Sequence, residues 1–213
     1  MAMRKILFSF AAGLLACGAS AQSLKISSVG QGIYCRFSPN CQVTPAEQSD
    51  SFTPTNAPVT FVLSSRSFPG TSMNATGQYG YEYQITLNNN GATDTNVVTV
   101  DSLTLKFGEP QAFAFGEHAS NYVWTLMSDG PVGLPPSDTD ASGDKVTFQF
   151  DPPLTLNTQT DQTTNTCYFG MVSAGAPTTT TAILSGSIQT ATNGVLSFKA
   201  KLQTQTPAAP AGN

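Results

Sequence analysis

The sequence has little charge, and positive charge is the scarcer sign. Nine lysines and arginines stand against thirteen aspartates and glutamates, and His118 is the single histidine. The formal net charge of −4 argues against a basic patch that would bind nucleic acid or an anionic membrane. Polarity comes instead from Thr, Ser, Asn, Gln and Gly, a composition that suits β-structure better than helix.

Motifs for catalysis are also missing. The chain has no G-x-S-x-G, no Walker-type glycine loop and no C-x-x-C pair, the usual signatures of an activated serine, a phosphate cradle and a zinc site. Glu117 adjoins His118, but neighbouring residues of a strand point to opposite faces and could not share one proton transfer. Glu82, Glu109 and Glu117 have no spacing that forces two carboxylates together. We therefore expect no enzymatic activity and no cofactor.

The one long apolar run lies at the amino terminus. Arg4 and Lys5 precede the apolar segment Ile6–Ala16, which is shorter than the roughly 20 residues that span a bilayer. An A-x-A signal ends at Ala21, so the first 21 residues have the order of a secretory signal peptide. Cleavage is predicted between Ala21 and Gln22, which leaves no membrane span.

A lipid anchor is the alternative to a freely soluble mature chain. The segment Leu14–Cys17 partly matches a lipobox, and an acyl chain on Cys17 would tether the protein to a membrane. Both interpretations predict export, to the periplasm, the cell surface or the medium. An oxidising compartment is therefore expected.

The cysteines fit such a compartment. Cys35 and Cys41 flank the turn residues Pro39 and Asn40, and a disulfide that closes this small loop is expected. Two free thiols are the alternative. Cys167 is then left without an intrachain partner, either as a buried apolar residue or as a link to another chain.

A two-residue alternation marks most of the chain as β-structure. In Gln78–Asn88 three tyrosines and two aliphatic residues share one parity, while polar residues share the other. We expect the polar face, with Glu82, to be the solvated one, and Asn90-Gly91 to form a hairpin turn. Further strands are predicted at Leu24–Val29, Ile33–Phe37, Cys41–Thr44, Val59–Ser64, Val97–Phe107 with a bulge at Asp101-Ser102, Gln111–Phe115, Tyr122–Met127, Lys145–Asp151, Thr166–Ala174, Thr180–Gln189 and Val195–Leu202.

About ten short strands without an amphipathic helix predict a single antiparallel β-sandwich, with Greek-key or jelly-roll-like connections. A closed barrel is the second choice. The domain is expected to span residues 22–203, after the signal peptide. The last ten residues, 204–213, are rich in Pro, Ala and Gly and predict a disordered tail.

Two groups of residues suggest ligand sites. Asp138, Asp140, Ser142 and Asp144 supply oxygen atoms at alternate positions, as in the opening of a Ca²⁺ loop. Gln149 stands where such a loop needs a bidentate Glu, so a solvated acidic loop is the simpler interpretation.

Aromatic residues suggest the second site. Tyr79, Tyr81, Tyr83 and Trp124 could stack against a glycan if they lay on an open sheet face. The same row of rings is more simply explained as the core of the sandwich, because the polar residues between the tyrosines mark the other face as the solvated one.

Five strand-and-turn motifs follow one another along the chain: RSFPG (Arg66–Gly70), QYGYEYQITL (Gln78–Leu87), LTLKFG (Leu103–Gly108), VTFQFDPP (Val146–Pro153) and YFGMVSAGAP (Tyr168–Pro177). In this order they resemble a family of uncharacterised secreted bacterial all-β proteins with no known activity. The resemblance covers about Cys35–Leu202 and implies a shared fold. Members of that family hold a calcium-like loop after the strand that corresponds to Gln111–Phe115, where this chain reads GEHASN, and carry further cysteines that are absent here.

These observations predict a secreted or cell-surface protein with a structural or adhesive role. A carbohydrate-binding or carbohydrate-active module, with a glycan as partner, is the first alternative. The second is a subunit of an extracellular assembly that pairs with another surface protein through a sheet edge.

Overall fold

The computed structural model describes residues 23–55, 57–92, 95–108, 110–115, 118–126, 137–139, 145–190 and 194–209. The predicted signal peptide, its cleavage site at Ala21 and Gln22, and Cys17 lie outside these ranges.

Fifteen strands and one short helical segment occur in the described residues. The helical segment is a 3-10 turn (Gln31–Ile33) that leads into α1 (Tyr34–Phe37). The strands are β1 (Ser23–Leu24), β2 (Ile26–Val29), β3 (Ala46–Phe52), β4 (Val59–Pro69), β5 (Tyr79–Asn89), β6 (Asn96–Leu105), β7 (Phe113–Phe115), β8 (His118–Asn121), β9 (Val123–Leu126), β10 (Ser137–Thr139), β11 (Val146–Asn157), β12 (Thr163–Asn165), β13 (Phe169–Ser173), β14 (Pro177–Thr190) and β15 (Gly194–Pro207).

The strands form two large sheets that pack face to face. One has six strands in the order β1-β10-β11-β6-β14-β15. The other has seven: six in the order β2-β9-β13-β5-β4-β3, and β12, which pairs with β5 off this path. Strands β7 and β8 pair separately. Among the described pairs only β2 and β9 run parallel. The predicted all-β sandwich is confirmed.

The main core lies between the two sheets. Phe169 is fully buried there, and its ring centroid lies 4.7 Å from that of Phe148, 5.9 Å from Phe150 and 6.0 Å from Tyr83. Ring pairs at these distances stabilise a core beyond the area that they bury. The apolar rows that the alternation marked on β4, β5, β6 and β11 all contribute to this core.

A second apolar cluster lies on the outer face of the seven-stranded sheet, under α1. Ile33 and Phe37 of the helical segment are fully buried against Phe68, Phe113 and Trp124. The predicted strand Ile33–Phe37 is therefore wrong. A segment of five residues is too short for its pattern to distinguish a strand from a helical turn, and only the packing partner decides between them.

Other boundaries also differ from the sequence predictions. The segment Cys41–Thr44 forms no strand, whereas β3 lies between Thr44 and Val59, where the sequence predicted no strand. Strand β11 continues through Pro152 and Pro153, because a register shift between Gln149 and Leu154 takes the prolines out of the hydrogen-bonded ladder. On β6 Asp101 is the extra residue between the pairs Ser102–Ser185 and Val100–Gly186, which confirms the predicted bulge.

Strand β15 continues beyond the predicted end of the domain. Thr204 and Thr206 are fully buried, and the Thr206 hydroxyl lies 2.9 Å from that of Thr180 on β14. The predicted disordered tail therefore begins too early, because residues 204–207 belong to the sheet. Residues 210–213 lie outside the described part of the chain.

Two of the sheet edges are short, and a third is partly hydrogen-bonded to the other sheet. Strands β1 and β2 have two and four residues. Strand β15 meets β3 and β4 at the other side of the sandwich, where Gln203 N donates to Asp50 Oδ2 at 2.7 Å and Gln205 N donates to Ser65 Oγ at 3.0 Å. Edge N–H groups that are already bonded cannot pair with a further chain.

The disulfide between Cys35 and Cys41 is present, and Cys167 is free and buried. The disulfide ties the end of α1 to the following loop. Replacing both cysteines by serine should lower the free energy of unfolding by about 2 kcal/mol, the loop-closure entropy of so small a ring. Urea denaturation measures this.

The control for that experiment is Cys167→Ala, which should respond to a reductant as the unmodified protein does. The double serine variant should not respond to the reductant at all. A double variant as stable as the oxidised parent protein would contradict the prediction.

Candidate functional site

The aromatic residues that suggested a sugar-stacking surface lie inside the protein. Tyr81 and Tyr83 are fully buried between the sheets, and Trp124 is fully buried on the outer face of the seven-stranded sheet. The Tyr81 hydroxyl donates to the Gly175 carbonyl at 2.7 Å. Tyr79 is half-buried beside the main core. These rings therefore form no open stacking surface, in agreement with the simpler interpretation as core.

The acidic loop is described only in part. Asp138 lies in β10, but Asp140, Ser142 and Asp144 lie outside the described residues, so the Ca²⁺ site stays a prediction. His118 lies in β8. In the described ranges no three His, Cys, Asp or Glu side chains come together in a way that could hold a metal ion.

The most polar buried cluster centres on Glu82, which is completely inaccessible to solvent. Its carboxylate accepts hydrogen bonds from Arg66 Nε at 2.6 Å, Trp124 Nε1 at 2.9 Å and the Tyr34 hydroxyl at 3.2 Å. We call Tyr34, Arg66, Glu82, Trp124 and Tyr168 the Glu82 cluster. A buried carboxylate is tolerated only when such donors satisfy it.

Strand register brings the cluster together. Arg66 on β4 pairs with Glu82 on β5, Glu82 pairs with Gly170 on β13, and Gly170 pairs with Trp124 on β9. All four therefore lie in one row across the sheet. A Cβ at Gly170 would lie 2.5 Å from the Trp124 ring. Because glycine stands there, the indole can cross β13 and reach Glu82.

Arg66 connects the cluster to the surface. Its guanidinium lies 3.9 Å from the centroid of the Tyr168 ring, and its side chain is 18% exposed. Burial lowers the Arg66 pKa, but Glu82, Tyr34 and Tyr168 together favour the cation and raise it overall. Nη1 has no hydrogen-bond partner among the described residues. The guanidinium borders a cavity of about 190 Å³ that Glu47, Gln48, Ser49, Ser64 and Ser65 also line.

The sequence interpretation placed Glu82 on the solvated face, and this was wrong. Alternation identified the correct face of β5, but α1 covers that face and removes Glu82 from water. The available signal was the charge itself, since Glu82 stands between two tyrosines of the strongest strand pattern. Arg66 Nε, Trp124 Nε1 and the Tyr34 hydroxyl donate to Glu82, while Arg66 Nη2 donates to the Tyr34 hydroxyl. The cluster therefore holds α1 on the sheet.

Burial also affects the tyrosines. It raises the pKa of Tyr34, Tyr81 and Tyr83 above the ordinary phenol value, and the charge of Glu82 raises that of Tyr34 further. Unfolded tyrosines lose their protons above about pH 10 while these three keep theirs, so stability should fall as the pH rises past that value.

An ultraviolet titration of phenolate tests this expectation. At about pH 11 the folded protein should form fewer phenolates than the urea-unfolded chain, which has six tyrosines. The variant Tyr34→Phe should remove one of the late-titrating groups. Identical titrations of the folded and unfolded protein would be the contrary result.

A second cavity lies at one end of the sandwich. Here β6 and β13 end, β14 begins and β15 ends. The volume is about 450 Å³, within the range of small-molecule sites. We call it the end cavity. Its lining consists of Lys106, Phe107, Gly108, Gln111, Ser173, Ala174, Gly175, Thr178, Thr180, Pro207, Ala208 and Ala209.

The described residues form an all-β sandwich that contains the disulfide Cys35–Cys41. Comparisons with protein-family models, curated proteins and solved structures found no match. No helix in the described ranges has the length and apolarity needed to cross a bilayer.

Proposed function

We propose that the protein is exported and acts, without catalysis, as a structural or adhesive β-sandwich at the cell surface or in the medium. The amino-terminal pattern supports export, and a disulfide suits an oxidising compartment. The resemblance to secreted bacterial all-β proteins points the same way.

The main support for an adhesive role is the composition of the outer face of the six-stranded sheet. Its side chains form rows in register across β11, β6, β14 and β15, and most are uncharged hydrogen-bonding groups. We call these rows the hydroxyl face: Thr155, Thr99, Ser187 and Ser197 in one row, Gln149, Ser102, Ser185 and Lys199 in the next, and Thr147, Thr104, Ile183 and Lys201 in the third.

The hydroxyl face suits a partner that offers many weak hydrogen bonds. All its members are at least partly exposed. Four neighbouring strands span about 15 Å at the usual strand spacing. A sheet face of this kind can contact a glycan or another protein over several strands, whereas small-molecule sites are concave.

Carbohydrate binding is the second candidate, because most side chains of the hydroxyl face are uncharged groups that can hydrogen-bond to sugar hydroxyls. Edge pairing has less support, because two backbone N–H groups of the edge strand β15 already donate to Asp50 and Ser65.

Two measurements test the proposal. Fractionation of cells that express the tagged full chain should place the protein outside the cytoplasm. The purified protein should be retained on cellulose, on chitin or on a glycan array, and a double variant Thr155→Asp/Ser197→Asp should bind less. Thr86→Asp on the other sheet is the matched control.

A cytoplasmic location would contradict the proposed role. Retention that is the same for the double variant and its control would exclude the hydroxyl face as the binding surface.

A further inference from the structure

The end cavity is a preformed site and is independent of the hydroxyl face. The loop after β13 holds one wall in place: the Tyr81 hydroxyl donates to Gly175 O at 2.7 Å, and Gly175 N donates to Ser173 Oγ at 3.2 Å. On the other side Ala208 N donates to Ala176 O at 2.8 Å. Because these walls are hydrogen-bonded to each other and to the core, the cavity need not rearrange to receive a ligand.

The floor of the cavity is apolar. Phe107 is buried, and its ring meets that of Tyr81 edge-on with the centroids 5.4 Å apart. Pro207 is buried beside it, and Ala174, Ala208 and Ala209 complete an apolar wall. The volume is about 450 Å³, which lies within the range of small-molecule sites. A ligand with an apolar body of several carbon atoms fits such a space.

The rim of the cavity offers hydrogen-bond donors. Lys106 is exposed, and its ammonium group has no partner within the described part of the chain. The Gln111 side chain accepts from Gln78 Nε2 at 3.1 Å through Oε1, which leaves its own amide N–H groups for a ligand. The Thr178 hydroxyl likewise has no partner among the described residues. A positive charge and two further donors select a ligand head that accepts hydrogen bonds and carries negative charge.

We propose that the end cavity binds a small amphipathic carboxylate, with the apolar body against Phe107 and Pro207 and the carboxylate at Lys106. The end cavity and the hydroxyl face share no residues, so ligand binding in the cavity can be tested independently of the proposed adhesive role. Its occupant is a free carboxylate of medium chain length.

Isothermal titration calorimetry of the full mature chain with octanoate tests the site. Octanoate should bind, and octan-1-ol, which has the same body without the charge, should bind more weakly. Lys106→Gln should weaken octanoate binding about fivefold, as expected for an ion pair at an exposed rim, and leave octan-1-ol binding unchanged. Added salt should reduce the octanoate affinity only.

Two variants make the result specific. Ala174→Trp places a large side chain at the cavity wall and should abolish the binding of both ligands while the melting temperature is unchanged. Lys199→Gln removes the same charge from β15, about 26 Å along the strand from Pro207 at 3.3 Å per residue, and should bind octanoate normally.

Three outcomes would overturn the inference. The first is that the unmodified protein does not bind octanoate at millimolar concentration. The second is that the Ala174→Trp variant still binds octanoate fully, which would mean that octanoate binds outside the end cavity. The third outcome is that octanoate and octan-1-ol bind with equal affinity and that Lys106→Gln has no effect. The cavity would then not recognise the carboxylate.

Discussion

Replacing Glu82 by leucine is expected to lower the free energy of unfolding by about 3 to 5 kcal/mol, because removal of one partner strands a buried charge. The Arg66 guanidinium would lose its ion pair, and Trp124 Nε1 and the Tyr34 hydroxyl would lose their acceptor. Each unpaired buried donor adds its own desolvation cost. Since Tyr34 anchors α1, we also expect α1 to detach first.

Urea denaturation measures the loss, and hydrogen exchange at the α1 amides reports the detachment. Glu47→Gln is the matched control, because Glu47 pairs in register with Arg66 on β4 but is exposed. This change should alter stability by less than about 0.5 kcal/mol. Glu82→Gln should fall between the two, since an amide oxygen still accepts a hydrogen bond.

A double variant separates the ion pair from simple loss of volume. Arg66→Met together with Glu82→Leu removes both charges, and its cost should be clearly smaller than the sum of the two single changes. Additive costs, or a Glu82→Leu protein as stable as Glu47→Gln, would mean that the Glu82 cluster does not hold this face together.

Phe169→Ala is expected to cost about 4 kcal/mol, the usual loss for a large aromatic residue in a well-packed core. Phe169 is fully buried and contacts aromatic rings from both sheets, with Phe148 nearest at 4.7 Å. The cavity would open between the two sheets, in the middle of the main core. The lost ring contacts add to the lost burial.

Urea denaturation measures this loss as a shift of the unfolding midpoint, with no change in the dependence of the unfolding free energy on urea concentration. Phe169→Leu should cost distinctly less, because most of the volume is retained. Met73→Ala is the exposed control, since Met73 is 96% accessible, and it should leave the midpoint unchanged. A Phe169→Ala loss below about 1 kcal/mol would be incompatible with this core.

Most of the sandwich could be predicted from side-chain alternation. The pattern in Gln78–Asn88 identified β5 and its inward face, and the bulge at Asp101 followed from a change of parity. The disulfide followed from compartment and spacing. The resemblance to secreted bacterial proteins stays a prediction.

The candidate sites were harder to predict, because each depends on residues that are distant in sequence. Glu82 meets Arg66 and Trp124 only through the pairing of β4, β5, β13 and β9. The end cavity is formed where four strands end or begin. Period-two patterning assigns a residue to a face, but it contains no information on what covers that face.

By itself, then, the sequence determined the extended backbone, the two faces of the main strands and the short disulfide loop, because these depend on neighbours within a few residues. Only the tertiary structure decided that α1 is a helix, that β11 passes through two prolines and that a carboxylate lies buried beneath Tyr34. Those outcomes depend on contacts between distant segments, whose burial outweighs local preference.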